Sequence, residues 1–263
     1  MIKSIGRGSF PLAIFGALLM LNSGGCAENE ALVYYIAANQ TVDEKSNCEL
    51  QVGGGGAIRP YGYMDLSLTD EYVMFPLIES GMAKTEEITG KGPKELMGDN
   101  STILILGAIV DYEIDPIIEA ELLARTGAGL PQGQFIPSAG SVESNKNALA
   151  ALQIIPPFVG QQLRQAQQLM GEPYQAAQML VNVTMEGQLP DGTTVYSNTF
   201  VYPITLCNQC LIFYPVDDCT NQDSEPDVKP PCFPGQDDAV DCRFCYILAQ
   251  SPAEAEKCLG PPQ

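Results

Sequence analysis

The chain has no histidine and no tryptophan, and it sets 13 lysines and arginines against 32 aspartates and glutamates, a formal charge of −19 at pH 7. Each shortage excludes something. Without histidine there is no Ser-His or Cys-His nucleophile pair and no imidazole metal site. Without tryptophan, one hallmark of true immunoglobulin domains is missing. The acidic balance repels phosphate, which argues against nucleic acid as a partner and against tight docking of the folded part on an anionic lipid surface. Catalytic motifs are missing too. "SAGSV" is not a nucleophile elbow. The four glycines Gly53 to Gly56 read as a loop, and they lack the Lys-Ser/Thr pair and helical pattern of a phosphate cradle. No catalytic residue, cofactor or metal is assigned.

What is present begins with an export-type start. Lys3 and Arg7 are the only charges before Cys26, and an apolar stretch runs from Phe10 to Leu21. As a helix of about 18 Å it falls short of the ~30 Å hydrocarbon core. Ser23, Gly24 and Gly25 then supply small side chains directly before Cys26. This segment resembles the lipobox of bacterial lipoproteins, in which the cysteine is acylated and becomes the new N-terminus. It departs from that pattern in one place: Ser23 stands where a large aliphatic residue is usual, with Leu21 two places further back. The resemblance covers residues 1–26. It implies a signal peptide over 1–25, lipidation at Cys26, and a tether over 26–30 of about 20 Å that keeps the folded part near its membrane. Ala27, where many lipoproteins retained at the inner membrane carry aspartate, implies the outer membrane. Ordinary secretory cleavage, with Cys26 left for a disulfide, is the alternative. Removing 1–25 takes away two cations and no acid, moving the formal charge from −19 to −21.

Nine cysteines are an odd number, and acylating Cys26 leaves eight. Cys48, Cys207, Cys210, Cys219, Cys232, Cys242, Cys245 and Cys258 are therefore the disulfide candidates, in an exported and oxidising compartment.

Residues 31–205 read as a β domain. "ALVYYIAANQ" opens it, and Met64, Leu66 and Leu68, then Val73, Phe75 and Leu77, alternate as one face of short strands. "STILILGAIVDYEI", residues 101–114, has the continuous apolar run of a central strand buried on both faces. Residues 128–146, rich in Gly, Pro and Ser, read as a long loop. "ALAALQII" reads as a strand closed by Pro156 and Pro157. A helix follows, with Val159, Leu163, Ala166 and Met170 at helical spacing. The clearest unit is a β-hairpin: Met179, Val181, Val183 and Met185 alternate, Asp191-Gly192 turns the chain, and Tyr196, Phe200, Tyr202 and Ile204 return. About seven strands separated by turns predict an all-β, antiparallel, immunoglobulin-like sandwich.

Residues 206–263 hold seven of the nine cysteines. With few large aliphatic residues, this tail needs cross-links to stay folded. Two short helices are legible. One is capped by Asp237 or Asp238 with Val240, Phe244 and Leu248 on one face; the second starts at the Ser251-Pro252-x-Glu254 capping box and ends at Gly260. Cys207-x-x-Cys210 and Cys242-x-x-Cys245 could hold zinc between four thiolates, or either could serve redox chemistry. Structural disulfides are the reading adopted. Cys242 and Cys245, one helical turn apart, point outward together and favour partners on other segments, with Cys258 a natural one. Cys48 must reach a tail cysteine if all eight pair. The acidic runs "PVDDCTNQDSEPD" and "GQDDAVD" lack the spacing of a calcium loop and read as solvated surface.

Taken together, the lipobox-like start, "DGTTVYSNTFVYPI", "CNQC" and "GQDDAVDCRFC" are similar to cysteine-rich lipoproteins of the myxobacterial type. That resemblance implies a cell-envelope location and no substrate. The expected function is a lipid-anchored outer-membrane protein, periplasmic or surface-facing, that structures or binds an envelope protein or glycan without catalysis. The alternative is an envelope hydrolase acting on wall glycan through a carboxylate pair.

Overall fold

A computed structural model describes residues 32–42, 48, 50, 57–82, 102–144, 146–167, 176–214, 219–220, 231–249 and 252–259. The lipobox with Cys26, the glycines Gly53 to Gly56, Met170, most of the first acidic run, Ser251 and Gly260 lie outside them. Among the described residues the fold is mostly β, with a disulfide-rich C-terminal region, and no helix is long and apolar enough to cross a membrane.

The backbone of the fold is the long hairpin formed by β9 (Ala177–Gln188) and β10 (Thr194–Cys207), antiparallel from Gln188↔Thr194 to Leu206↔Ala177. Met179, Val181, Val183 and Met185 on β9 are all fully buried, each contributing about 1.5–3 kcal/mol of apolar burial. On β10 the parity changes. Tyr202 and Ile204 are buried but Tyr196 is 49% exposed, because the register shifts between Tyr196 and Thr199. That bulge turns Ser197 inward, where its Oγ accepts the Met185 N–H at 2.9 Å.

β5 (Thr102–Ile114) pairs with the free edge of β9, and β6 (Gln134–Glu143) pairs with β5. β5 is central in hydrogen bonding, yet it is not buried on both faces as its apolar run predicts: Ile103 and Ile105 point inward while Leu104 is 50% exposed. β6 replaces the loop expected over 128–146. As an edge strand it tolerates Pro137, which stands opposite Gly107 where the β5 register shifts. On the other side of the sheet β2 (Gly62–Asp65) lies parallel to the end of β10, giving the order β2-β10-β9-β5-β6.

A second sheet joins β1 (Tyr34–Asn39), β4 (Pro76–Ser80) and β7 (Asn147–Leu149), and β3 (Tyr72–Met74) pairs with β8 (Leu152–Ile155). The alternation over 64–77 is corrected in two respects. Met64–Leu68 is not one strand, because the chain leaves β2 after Asp65 and turns over Leu66–Leu68. Tyr72, Met74 and Ile78 face the core rather than Val73 and Leu77, which are half-buried. Breaks at Phe75 and at Ala150–Ala151 cut longer runs into short strands, so among the described residues ten strands stand between Tyr34 and Cys207 where the sequence suggests about seven.

Two helices accompany the sheets. α1 (Pro116–Thr126) was not legible as such in the periodicity; Asp115 caps it by accepting the Ile117 N–H at 2.8 Å. α2 (Pro157–Gln167) buries Val159, Leu163 and Ala166. Its Gly160 sits so close to the 66–71 turn that a Cβ there would lie 1.8 Å from the Asp70 carbonyl oxygen.

The tail adds β11 (Ile212–Phe213), β12 (Val240–Asp241), α3 (Cys242–Leu248) and α4 (Pro252–Lys257). α3 is capped by Asp241 rather than Asp237 or Asp238: the Asp241 carboxylate accepts the Arg243 N–H, and Val240 belongs to β12. Ile212, Cys219, Val240, Cys242, Cys245 and Cys258 form a small second core. The described residues from Leu32 onward belong to one compact unit.

Candidate functional site

Where the tail crosses the edge of the five-stranded sheet, a cleft of about 250 Å³ opens, lined among others by Gln40, Arg59, Phe75, Phe233, Asp237 and Asp238. Its wall is built by the tail itself. β2 is an edge strand with unpaired backbone groups, and Gly235–Asp237 satisfies them. Asp65 N–H donates to the Gly235 carbonyl at 2.8 Å, and Asp237 N–H donates to the Tyr63 carbonyl at 2.9 Å. Gln236 extends the link sideways. Its amide accepts the Val73 N–H at 2.9 Å and donates to the Val73 carbonyl at 2.6 Å, pairing with β3 as a neighbouring backbone would.

Asp237 takes a positive φ of 66°, a conformation that aspartate tolerates better than most residues. Its side chain is only 9% exposed. The carboxylate accepts from Tyr63 N–H at 2.8 Å and from the Tyr72 hydroxyl at 2.9 Å, and the Arg59 guanidinium lies 3.6 Å away. Burial pushes its carboxyl above the usual value, while Tyr63, Arg59, Tyr72 and Gln236 pull it back down. Arg59 also contacts Asp238 at 3.2 Å. Burial works against the guanidinium charge, and the two carboxylates more than offset it, so its pKa is raised.

Gly62 is required for this arrangement, since a Cβ there would fall 2.2 Å from the Tyr72 hydroxyl oxygen. Behind Tyr72 stand Tyr202 and Asn39. Asn39 Nδ2 donates to the Tyr202 hydroxyl at 2.8 Å, and Asn39 Oδ1 accepts the Phe75 N–H at 2.9 Å. Burial is the main cause of the raised hydroxyl pKa values, well above the ordinary range for Tyr72 and up to about 12 for Tyr202.

Gln40 differs from these satisfied groups. It is 6% exposed, lines the cleft, and its Oε1 has no hydrogen-bond partner. A buried acceptor left unpaired costs about 1–3 kcal/mol. Such an atom calls for an explanation in a fold whose neighbouring polar groups are paired. A larger depression of about 550 Å³ lies between the end of β5, the start of α1 and the start of β9, but it is walled by groups such as Ile117, 80% exposed, and gathers no comparable polar set.

The structure pairs Cys48 with Cys232, Cys207 with Cys210, Cys219 with Cys242, and Cys245 with Cys258. Cys242 and Cys245 thus leave α3 for separate partners, and the Cys48 bond joins the β region to the tail beside the cleft. The two C-x-x-C motifs do not meet around a metal, because their sulfurs are already used in three different disulfides. Asp65, Cys207 and Cys210 do lie close enough to share an ion. However, the two sulfurs are bonded to each other, and the Asp65 carboxylate accepts from Ser67 N–H and Oγ, Gln209 N–H and Leu211 N–H at 2.6–3.0 Å. Asp65 therefore shapes the C-x-x-C loop.

The acidic run "GQDDAVD" is corrected from solvated surface to structure: Asp237 is buried against Arg59, and Asp241, 1% exposed, pairs with Arg243 at 2.6 Å. Arg59, Tyr72 and Gln40 carried no signal in the sequence, being scattered singly along the chain, and Tyr202 read only as a position on the return strand of the hairpin. No protein-family model, curated protein or solved structure matches this chain.

Proposed function

We propose that the protein is a lipid-anchored, outer-membrane protein of the cell envelope, with a binding role centred on the cleft between Arg59, Gln40 and Asp238, and no catalytic step. One observation carries the anchor. The eight cysteines after Cys26 pair among themselves, so none is left to take Cys26 into a disulfide within the chain, and acylation accounts for it. Four disulfides also suit an oxidising, exported compartment. The immunoglobulin-like form of the β region is part of this proposal, supported by two packed sheets that share one apolar cluster. The parallel β2–β10 pair is its departure from that form.

Metabolic labelling with an alkyne fatty acid and membrane fractionation test the anchor. Wild type should carry the label and sediment with outer membrane, and Cys26→Ser should lose both. Membrane association unchanged in Cys26→Ser overturns the anchor. Chemical crosslinking in intact envelopes tests the binding role: a discrete adduct is expected with wild type and lost in Arg59→Ala.

A second reading, an envelope hydrolase acting on wall glycan through a carboxylate pair, draws on the presence of both Asp237 and Asp238 in the cleft and on the raised carboxyl of Asp237. Binding is favoured because the oxygens of Asp237 are taken by Tyr63, Tyr72 and Gln236. Release of reducing ends from purified wall by wild type and not by Asp237→Asn would replace the binding role with hydrolysis.

A further inference from the structure

We infer that the Cys207–Cys210 disulfide is a reversible redox bond that accepts two electrons from a dithiol by exchange at Cys210, while the other three disulfides hold the fold. This goes beyond the binding role, since it uses neither the cleft nor the anchor.

Three of the four disulfides join separate segments: Cys48–Cys232 across 184 residues, Cys219–Cys242 across 23 and Cys245–Cys258 across 13. Cys207 and Cys210 stand only three apart. The gain from restricting the unfolded chain rises with loop length, so this bond contributes the least to stability.

Its loop does not depend on it for shape either. Cys207 stands opposite Asp65 at the end of β10, and its carbonyl accepts the Leu66 N–H at 2.8 Å. On the far side the Leu211 carbonyl accepts the Val240 N–H at 2.7 Å. Between them the Gln209 and Leu211 N–H groups both donate to the Asp65 carboxylate. With the sulfur–sulfur bond broken, these hydrogen bonds remain and keep the two thiols side by side. Re-closing is then intramolecular, at high effective concentration. The Cys48–Cys232 bond is open to thiols as well, since Cys48 is exposed, but once it is reduced no short loop keeps its halves together.

The surroundings of the sulfurs set the direction. Cys207 is buried, whereas Asn208, Gln209 and Cys210 are half-buried, so a thiol from outside meets Cys210. Cys207 Sγ lies 3.6 Å from the Met64 carbonyl oxygen. A disulfide sulfur has no proton for that acceptor, and a thiol has one. Reduction thus adds a buried hydrogen bond that the oxidised form lacks. An interaction made only by the reduced form makes a disulfide more oxidising toward other dithiols.

The exchange runs in two displacements. One thiol of the partner dithiol loses its proton and attacks Cys210 Sγ; the Cys207–Cys210 bond breaks, and Cys207 Sγ leaves with the electron pair and takes up a proton. The partner's second thiol then attacks its own sulfur in the mixed disulfide, and Cys210 Sγ leaves and is protonated in turn. The partner is oxidised from dithiol to disulfide, and Cys207 and Cys210 are reduced to two thiols.

Graded glutathione redox buffers applied to the full mature chain test this, with an acid quench, N-ethylmaleimide labelling and peptide mass spectrometry to place the label. Cys207 and Cys210 are expected to label together at a reductant level that leaves the other six cysteines closed, with circular dichroism unchanged, and to close again when the oxidised buffer is restored. A synthetic peptide with a reduced Cys-x-x-Cys should be oxidised, one disulfide per chain, by wild type and not by Cys207→Ser/Cys210→Ser, whose urea midpoint should stay near that of wild type. The Cys210 thiol of Cys207→Ser should react with N-ethylmaleimide about tenfold faster than the Cys207 thiol of Cys210→Ser, as its greater exposure requires. Opening of this bond together with or after the other three, no transfer to the peptide, or a double variant that does not fold overturns the inference. Faster labelling of Cys207 overturns the route through Cys210.

Discussion

The hydroxyl oxygens of Tyr72 and Tyr202 lie 3.1 Å apart, and their neighbours fix which one donates. Tyr72 spends its single proton on Asp237, so Tyr202 must donate to Tyr72 and accept from Asn39 Nδ2. The donors therefore run in one direction, from the end of β1 to the buried carboxylate at the cleft, and link four segments distant in sequence. Tyr72→Phe removes the proton that reaches Asp237 and leaves two buried groups short of a partner. A loss of about 1–3 kcal/mol is expected, read from urea unfolding midpoints. Unchanged midpoints would show that the chain of bonds contributes nothing to stability.

Two aspartates four residues apart should respond oppositely to pH. Asp237 is raised by burial above its ordinary 3.8, so the folded state binds a proton more readily than the unfolded one. Its contribution to stability is fully present below 3.8 and is lost as pH rises through the higher folded value. Asp241 is lowered, chiefly by its hydrogen bond from Arg243. Its contribution is present above 3.8 and is lost as pH falls through the lower folded value. Unfolding free energies measured from pH 2.5 to 7 should show Asp237→Asn removing stability that wild type gains on acidification, and Asp241→Asn removing stability that wild type loses there.

The Cys48–Cys232 disulfide spans 184 residues. The chain-entropy model assigns about 5 kcal/mol to closing so long a loop. The Cys48→Ser/Cys232→Ser double variant should unfold at clearly lower denaturant under non-reducing conditions, and its cleft should lose order because Cys232 and Phe233 help to line it. An unshifted midpoint would mean that the tail holds its place through Gln236 and Asp237 alone.

Gly160 offers a reversal of helix propensity. In an exposed helix Gly→Ala gains about 1 kcal/mol. In α2 the new Cβ would lie 1.8 Å from the Asp70 carbonyl oxygen, and backbone cannot yield as a flexible side chain would. Gly160→Ala is expected to destabilise by about 3 kcal/mol or the fold will not form. A stabilised variant would show that α2 sits further from the turn.

Much of this architecture is written in local pattern. The hairpin was legible because apolar residues alternate on β9 and Asp191-Gly192 turns it. α2 was legible because Val159, Leu163 and Ala166 repeat at helical spacing. α1 escaped notice although Asp115, Pro116 and Gly127 are ordinary start and stop signals: only Leu122 on that helix is buried, so the periodicity was faint. β6 was hidden because glycine, proline and serine argue for a loop, and only pairing with β5 makes such a segment a strand.

Composition, the cysteine count and the export-type start belong to the sequence alone, since each is a property of residue type and order. So do the strand-forming alternation and the need of the tail for cross-links. Tertiary structure decided the rest. It chose one connectivity among the 105 that eight cysteines allow, because a disulfide needs two Cα atoms within about 7 Å and only folding sets that distance. It also made the site. Arg59, Tyr72, Tyr202 and Asp237 are strangers along the chain, and each reads singly as an ordinary surface, core or capping residue. They become a charged, hydrogen-bonded cleft only because the tail lies across the edge of β2, where unpaired backbone groups require a partner.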